Sequence, residues 1–460
     1  MGADRADDGD EADRAVTQSL PPYPSTVGHH LTHTVGAMRD VLGFRSRAMA
    51  ERDLVRIHLL GPGDVYHLGH PDHFERVLLN DRDKFRKSDD FQLAFEGGLV
   101  AVEGETWQRQ RDVLQPLFTR DRLVDYADGM VEQIRRRCRR WTPGERIDLA
   151  AESSDLTLDV LFATLFGREL AVDGDEEIRT AASHLHHWFA PTSYPLPTWI
   201  PTPARLRFKR GKRRLQGVAT DLLEEKADDP PADPSEADDL LSLLVALRES
   251  GVESEALSDD RLRDQVVTMI FAGHDTTATA ISFACYALAH HPEVRDRFHA
   301  EVDSLDGPPT LDDLDDLSVT ERIVTEALRC YPPVYTIPRE TTTDVTMDGY
   351  RIPAGEPVWL TVDQVHTDSR FYDDPDAFRP ARWDGSLRER IPDFAYVPFG
   401  GGPRRCIGRR FALMEAKLAL ATIGREYHLA WPGTEPDDPP LLAGMTARMA
   451  PGTEFRVQSR

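Results

Sequence analysis

The chain has 460 residues, of which 40% are hydrophobic, and its 79 acidic and 55 basic side chains leave a formal net charge of −24. That size allows a large buried core, while so negative a field repels nucleic acid and anionic membrane surfaces. The four cysteines, Cys138, Cys285, Cys330 and Cys406, form no CxxC pair, which argues against a zinc ribbon or redox dithiol and fits a reducing, cytoplasmic setting.

Residues 1–20 are polar and acidic, lack the apolar centre of a signal peptide, and are expected to be disordered. Pro21, Pro22 and Pro24 open an extended entry segment. Residues 54–60, the turn Gly61-Pro62-Gly63 and residues 64–68 predict a β-hairpin, and Pro71 heads a helix through Phe74, Val77 and Leu78. Helical periodicity dominates from about 105 to 300, broken at 190–197 and at the acidic, proline-containing stretch 228–239. The longest apolar run, 266–288, carries Gly273-His274-Asp275-Thr276-Thr277 at its middle. Buried charge of that kind is costly in lipid, so the run predicts a core helix and no membrane span. After Pro333, strands are expected at 345–347 and 357–362. Neither break suits an interdomain linker and no internal repeat is present. A single domain over 21–460, mainly α with small β-sheets, is expected.

Chemistry-bearing residues cluster in a few places. In Phe399-Gly400-Gly401-Gly402-Pro403-Arg404-Arg405-Cys406-Ile407-Gly408, three glycines remove bulk and allow positive φ, so a flat ligand can approach the backbone. Helical sequence resumes at Arg409, which sets Cys406 at a helix N-terminus, where free amides and the helix dipole favour a thiolate. In the 266–288 helix, Thr276 can return its hydroxyl to the Ala272 carbonyl and bend the helix. Gly273 lets a ligand approach there, and Asp275 beside a hydroxyl makes a proton path. Glu326 and Arg329 share a helix face; Trp107 and Arg111, four apart, can both point at one carboxylate.

Five motifs in one order resemble the cytochrome P-450 family. They are Trp107-x-x-x-Arg111, Ala272-Gly273-His274-Asp275-Thr276, Glu326-x-x-Arg329, Arg382 within 378–383, and Phe-x-x-Gly-x-Arg-x-Cys-x-Gly over 399–408. The resemblance implies the mainly α P-450 fold holding haem b, with Cys406 as the iron ligand, since a thiolate ligand favours O–O cleavage. It places Phe399 beside the sulfur, Gly400 and Gly408 close to the porphyrin, and Trp107, Arg111, Arg339 and Arg404 on the propionates. Asp275 becomes a proton relay, Thr276 holds dioxygen and a water, and His274 is given no role. Glu326, Arg329 and Arg382 become a buried ionic network supporting the cysteine loop. By the same analogy Phe271, Ala272, Val334, Tyr335, Ile337 and Met445 line the substrate pocket, where Tyr335 and Thr336 can add a hydrogen bond.

The implied reaction inserts one atom of dioxygen into an apolar substrate such as a fatty acid, terpenoid or steroid, by hydroxylation or epoxidation. No flavin or iron–sulfur motif is present, so electrons are expected from a separate donor, a ferredoxin with its reductase. A peroxide-driven haem-thiolate peroxygenase and a non-catalytic haem gas sensor are the alternatives; neither needs the Asp275–Thr276 pair. The histidines at 29, 30 and 33 and at 184, 186 and 187 show no closed metal-site pattern. The basic run Arg205, Arg207, Lys209, Arg210, Lys212, Arg213 and Arg214 reads as a solvated helix face, with an acidic redox partner or a lipid headgroup as alternative contacts. The acid-rich, lysine-poor composition resembles that of proteins from high-salt cytoplasms, and a GC-rich genome equally favours Arg over Lys.

Overall fold

The long apolar run forms a 32-residue helix, Asp259–His290, buried almost continuously from Leu262 to Leu288. The computed structural model describes residues 19–190, 196, 199–231, 233–250, 257–433, 439, 441–444 and 446–460; the expected disordered N-terminus therefore lies almost wholly outside the described residues, as does Met445. Apolar side chains on every face of this helix require neighbours all round. It packs against Leu149–Leu165, Pro203–Asp228, Ser318–Cys330 and Arg409–Glu426, and their buried residues make the largest core. Asp148 fixes the start of Leu149–Leu165 by accepting from the Ala151 amide at 3.2 Å.

The expected hairpin is present, Leu54–Leu59 pairing antiparallel with Gly63–Leu68. Its second strand runs parallel beside Pro357–Thr361, which is antiparallel to Thr336–Thr341, which in turn meets Phe85–Arg86 to complete a five-stranded sheet. One face of this sheet covers a second core and the other packs under the N-terminal helices His33–Arg39 and Val41–Met49. Val345–Met347 pairs with Tyr350–Ile352. The strand expected over 357–362 ends at Thr361, because Val362 already begins the short helix Val362–His366.

Two features depart from the sequence reading, a short strand and the basic run. Within the stretch expected to be helical, Arg146–Asp148 is a strand, paired with the C-terminal strand Glu454–Ser459, which also pairs with Tyr427–Ala430. The break at 190–197 falls mostly outside the described residues; the one at 228–239 contains a 3-10 turn, Pro234–Glu236. The basic run is only partly a solvated face. Arg205 and Lys212 are buried on the inward side of Pro203–Asp228; Arg205 donates to Leu196 O at 2.7 Å and Lys212 pairs with Glu96 at 2.9 Å. Helical periodicity puts 205, 208, 212 and 215 on one face whatever their charge, and Phe208 and Leu215 carry the others inward. Among the described residues no helix is long and apolar enough to cross a membrane.

Candidate active site

The glycine-rich loop and the middle of Asp259–His290 both line one cavity of about 960 Å³. The loop owes its shape to glycine at two points, Gly400 (φ +68°) and Gly402 (φ +64°). A Cβ on Gly402 would also lie 2.1 Å from the Leu78 carbonyl oxygen. The Cys406 amide donates to Phe399 O at 2.9 Å, closing the loop and presenting the thiol to the cavity. Cys406 is accessible, yet protein surrounds it; the accessible surface is the part that faces the cavity.

The helix after the loop begins at Arg409, so Cys406 lies just outside its first turn. Burial raises the thiol pKa, and the Gly408 amide, Arg111 and Arg409 only partly oppose it. The helix terminus acts in the direction the sequence suggests, through the Gly408 amide, but burial outweighs it. A metal cation bound at the sulfur would reverse the balance, since a coordinated thiol loses its proton outright.

The rim carries more positive than negative charge. Lys87, Arg339 and Arg404 all line the cavity and repel one another. Burial, and then Arg404, pull the Arg339 pKa down to about 10; burial, followed by Arg404 and Arg339, holds Lys87 well below the usual lysine range. Among the described residues, Glu103 is the single carboxylate that relieves them. Each gives a single nitrogen to a backbone carbonyl, Arg339 to Pro338 at 2.7 Å, Arg404 to Val102 and Lys87 to Val100, which leaves further N–H donors on each side chain. A flat ligand with two carboxylates and a thiolate-seeking metal matches this donor set, and haem b is such a ligand. Trp107 and Arg111 both line the cavity but take different partners. The Arg404 guanidinium sits 4.8 Å over the Trp107 ring, whereas Arg111 donates to Arg405 O at 2.9 Å, next to Cys406.

On the opposite wall, hydroxyls cap three successive carbonyls of the central helix. Thr276 donates to Ala272 O at 2.9 Å, Thr277 to Gly273 O at 3.2 Å, and Thr157, from Leu149–Leu165, to His274 O at 2.9 Å. Such bonds compete with the helix ladder and loosen it locally. Gly273 lines the cavity, but a Cβ there would meet Leu161 Cδ1 at 2.3 Å, so the close packing of two helices also requires the glycine. Thr276 faces the cavity. Asp275 is turned away from it, accepting from Thr446 Oγ1 at 2.7 Å, with His186 Nε2 3.2 Å from its other oxygen. Burial alone would raise the Asp275 pKa, but His186, His274, Arg448 and Thr446 together hold it below the usual range. On His186 the Asp275 charge pulls upward, but burial dominates and lowers its pKa to about 4.

Phe271, Ala272, Val334, Tyr335 and Ile337 line the cavity; Met445 lies outside the described residues, between Gly444 and Thr446, which line it. The hydrogen bonds expected of Tyr335 and Thr336 are used within the protein. Tyr335 donates to Gly444 O at 2.6 Å and Thr336 accepts from Arg45.

Behind the loop, Glu326 and Arg329 are fully buried and joined by two bonds of 2.9 Å. Arg382 Nε and the Arg379 amide each reach Glu326 Oε1 at 2.9 Å, and Trp383 Nε1 reaches Oε2 at 2.8 Å. Arg329 also donates to the carbonyls of His366, Pro375 and Ala377, tying three segments to one side chain.

Sequence reasoning missed Lys87, His186 and Thr446. Lys87 and Thr446 carry no local pattern. His186 belongs to a histidine cluster noticed only as a possible metal site, and among the described residues no group of three His, Cys, Asp or Glu can hold a metal ion.

The cytochrome P450 family model matches residues 45–455. The chain is 36% identical to pentalenene oxygenase of Streptomyces avermitilis, covering 92% of each chain. It is 32% identical to cyclooctat-9-en-7-ol 5-monooxygenase of Streptomyces melanosporofaciens, over 91% of this chain and 93% of that one. The fold superimposes on the crystallised haem domain of cytochrome P-450 DA with a TM-score of 0.81 at 26% identity, covering 96% of this chain and 98% of that one. The chain belongs to the cytochrome P-450 family and is a haem b monooxygenase.

Proposed function

We propose that this monooxygenase oxidises an apolar small molecule of terpenoid type, in the cytoplasm, with electrons delivered by a ferredoxin and its reductase. The observation that carries the substrate reading is the cavity itself, lined beside Thr276 by Phe271, Ala272, Val334 and Ile337. The names of the two Streptomyces relatives point the same way. Bound haem supplies the oxygen-activating chemistry.

The chain's own residues have these roles. Cys406 Sγ holds the iron, with Phe399, Gly400 and Gly408 giving the macrocycle room. Arg339, Arg404 and Trp107, joined by Lys87, take the propionates. Arg111 braces the cysteine loop through the Arg405 carbonyl. Thr276 presents its hydroxyl to the cavity, and Asp275 beside it passes protons inward from the His186 side. Apolar walls exclude water that would compete for those protons.

The ferredoxin reading rests on charge. In a chain of net charge −24, Arg388, Arg405 and Arg410 gather around Arg409, three residues from Cys406, close enough to depress its pKa after burial has done so. Such a patch suits an acidic electron carrier. The test is turnover of a terpenoid panel with ferredoxin, reductase and NAD(P)H against peroxide alone. Product only in the first supports the proposal; equal or greater product with peroxide alone contradicts it.

A further inference from the structure

The same cavity also reaches under the N-terminal helices, lined there by Ala37, Val41 and Phe44, and meets two buried polar side chains that the proposed chemistry does not use. His67 is 3% exposed and Arg45 1% exposed, and both line the cavity. Neither ring nitrogen of His67, nor Nε of Arg45, has a hydrogen-bond partner in the protein. Orphaned polar groups this deep are uncommon, and each calls for a partner.

The sheet places them. His67 stands in register with Trp359, and Trp359 with Pro338, so all three share one face. Two interstrand spacings, about 10 Å, separate His67 from Pro338, the neighbour of Arg339. Arg45 reaches the recess from Val41–Met49, donating to Thr336 and lying 4.9 Å over the Tyr335 ring. Apolar residues Phe44, Ile57, Leu59 and Trp359 complete it.

We propose that His67 and Arg45 form a recognition site for a neutral oxygen function, a hydroxyl or carbonyl, carried by the apolar substrate at the end remote from the atom that is oxidised. The charge on Arg45 is already matched by Asp363 Oδ1 at 2.5 Å from Nη2, so a carboxylate would find no net positive charge. Burial, with Arg45 and His33 adding to it, keeps His67 unprotonated, and a neutral imidazole offers one donor and one acceptor, the complement of a hydroxyl. A hydrocarbon of the same shape leaves both nitrogens unpaired. The site thus selects a lipophile that has been oxygenated once already.

The inference rests on the apolar-substrate reading, and the test separates the two. Dissociation constants of haem-loaded enzyme for farnesene, farnesol and farnesoic acid are measured by titration calorimetry. Farnesol is expected to bind about tenfold more tightly than farnesene, and more tightly than the acid. In His67→Leu the ratio of alcohol to hydrocarbon affinity falls to near one, while His67→Gln, which keeps a donor and an acceptor, retains it. Equal binding of farnesol and farnesene by the wild type, preference for the acid, or a preference that survives in His67→Leu overturns the proposal alone. Failure of all three probes to bind overturns the apolar-substrate reading, and this proposal with it. Because His67 makes no hydrogen bond to the protein, the leucine variant breaks none; should it nevertheless fail to fold, the wild-type ranking of the three probes still decides.

Discussion

At the scale of single residues, the chemistry turns on which groups are paired and which are not. Asp275 is held ionised by Thr446 and His186 behind the cavity wall, one residue from the hydroxyl that faces the cavity. Asp275→Ala should lower kcat by roughly 100-fold or more, the usual worth of a positioned acid–base group. Haem content and substrate affinity should be retained, because Asp275 touches neither the rim cations nor the apolar walls. Loss of haem in that variant would contradict the assigned role. Glu326 presents the opposite case, a buried carboxylate with every oxygen engaged. Glu326→Ala strands two arginines, and denaturant unfolding should show a loss of about 3–5 kcal/mol. A loss under 1 kcal/mol would mean that the network does not support the loop.

At the scale of elements, the central helix and its neighbour Leu149–Leu165 are fitted to each other through one glycine. Gly273→Ala would drive a methyl into Leu161 Cδ1. Overpacking of that size costs about 1–3 kcal/mol. In a Leu161→Ala background Gly273→Ala should cost much less than in the wild type, a coupling that thermal or urea unfolding of the double-mutant set would measure. Additive losses would show that the helices do not constrain each other there. The Cys406 loop, the Thr276 back-bond and the Glu326–Arg329 pair were readable because each is written within a few residues. The strand Arg146–Asp148 was not, being three residues long and paired with a strand some 300 residues later. Gly273 was read as making room for a ligand, since no local pattern reveals that Leu161 stands opposite it. His186, Lys87 and His67 likewise gain their meaning only from distant elements that packing brings beside them.

At the scale of the whole molecule, several histidines are buried in their neutral form. Burial dominates for each: His366 is lowered to about 3 and His186 to about 4, and His67 and His274 are lowered as well. The unfolded chain protonates these groups near pH 6.5 while the folded chain does not. Between about pH 6.5 and 4 the unfolded state therefore binds more protons, and stability falls as pH falls, by up to about 1.4 kcal/mol per pH unit for each such group. Glu415 works in the opposite sense. Burial raises its pKa well above the usual value, so its contribution is present at low pH and lost as pH rises. With more histidines than glutamates in this class, urea midpoints should decline from pH 7 to pH 4.5; a flat or rising profile would show that the histidines are not buried neutral.

The account as a whole depends on the sulfur of Cys406 reaching the iron. The most direct measurement is the absorption spectrum of the ferrous protein under carbon monoxide, for the wild type and for Cys406→His. The wild type should give the strongly red-shifted Soret band of a thiolate-ligated carbonyl, and the histidine variant the shorter-wavelength band of an imidazole-ligated one. A variant that keeps the wild-type band would show that another group ligates the metal, and would contradict the account at its centre.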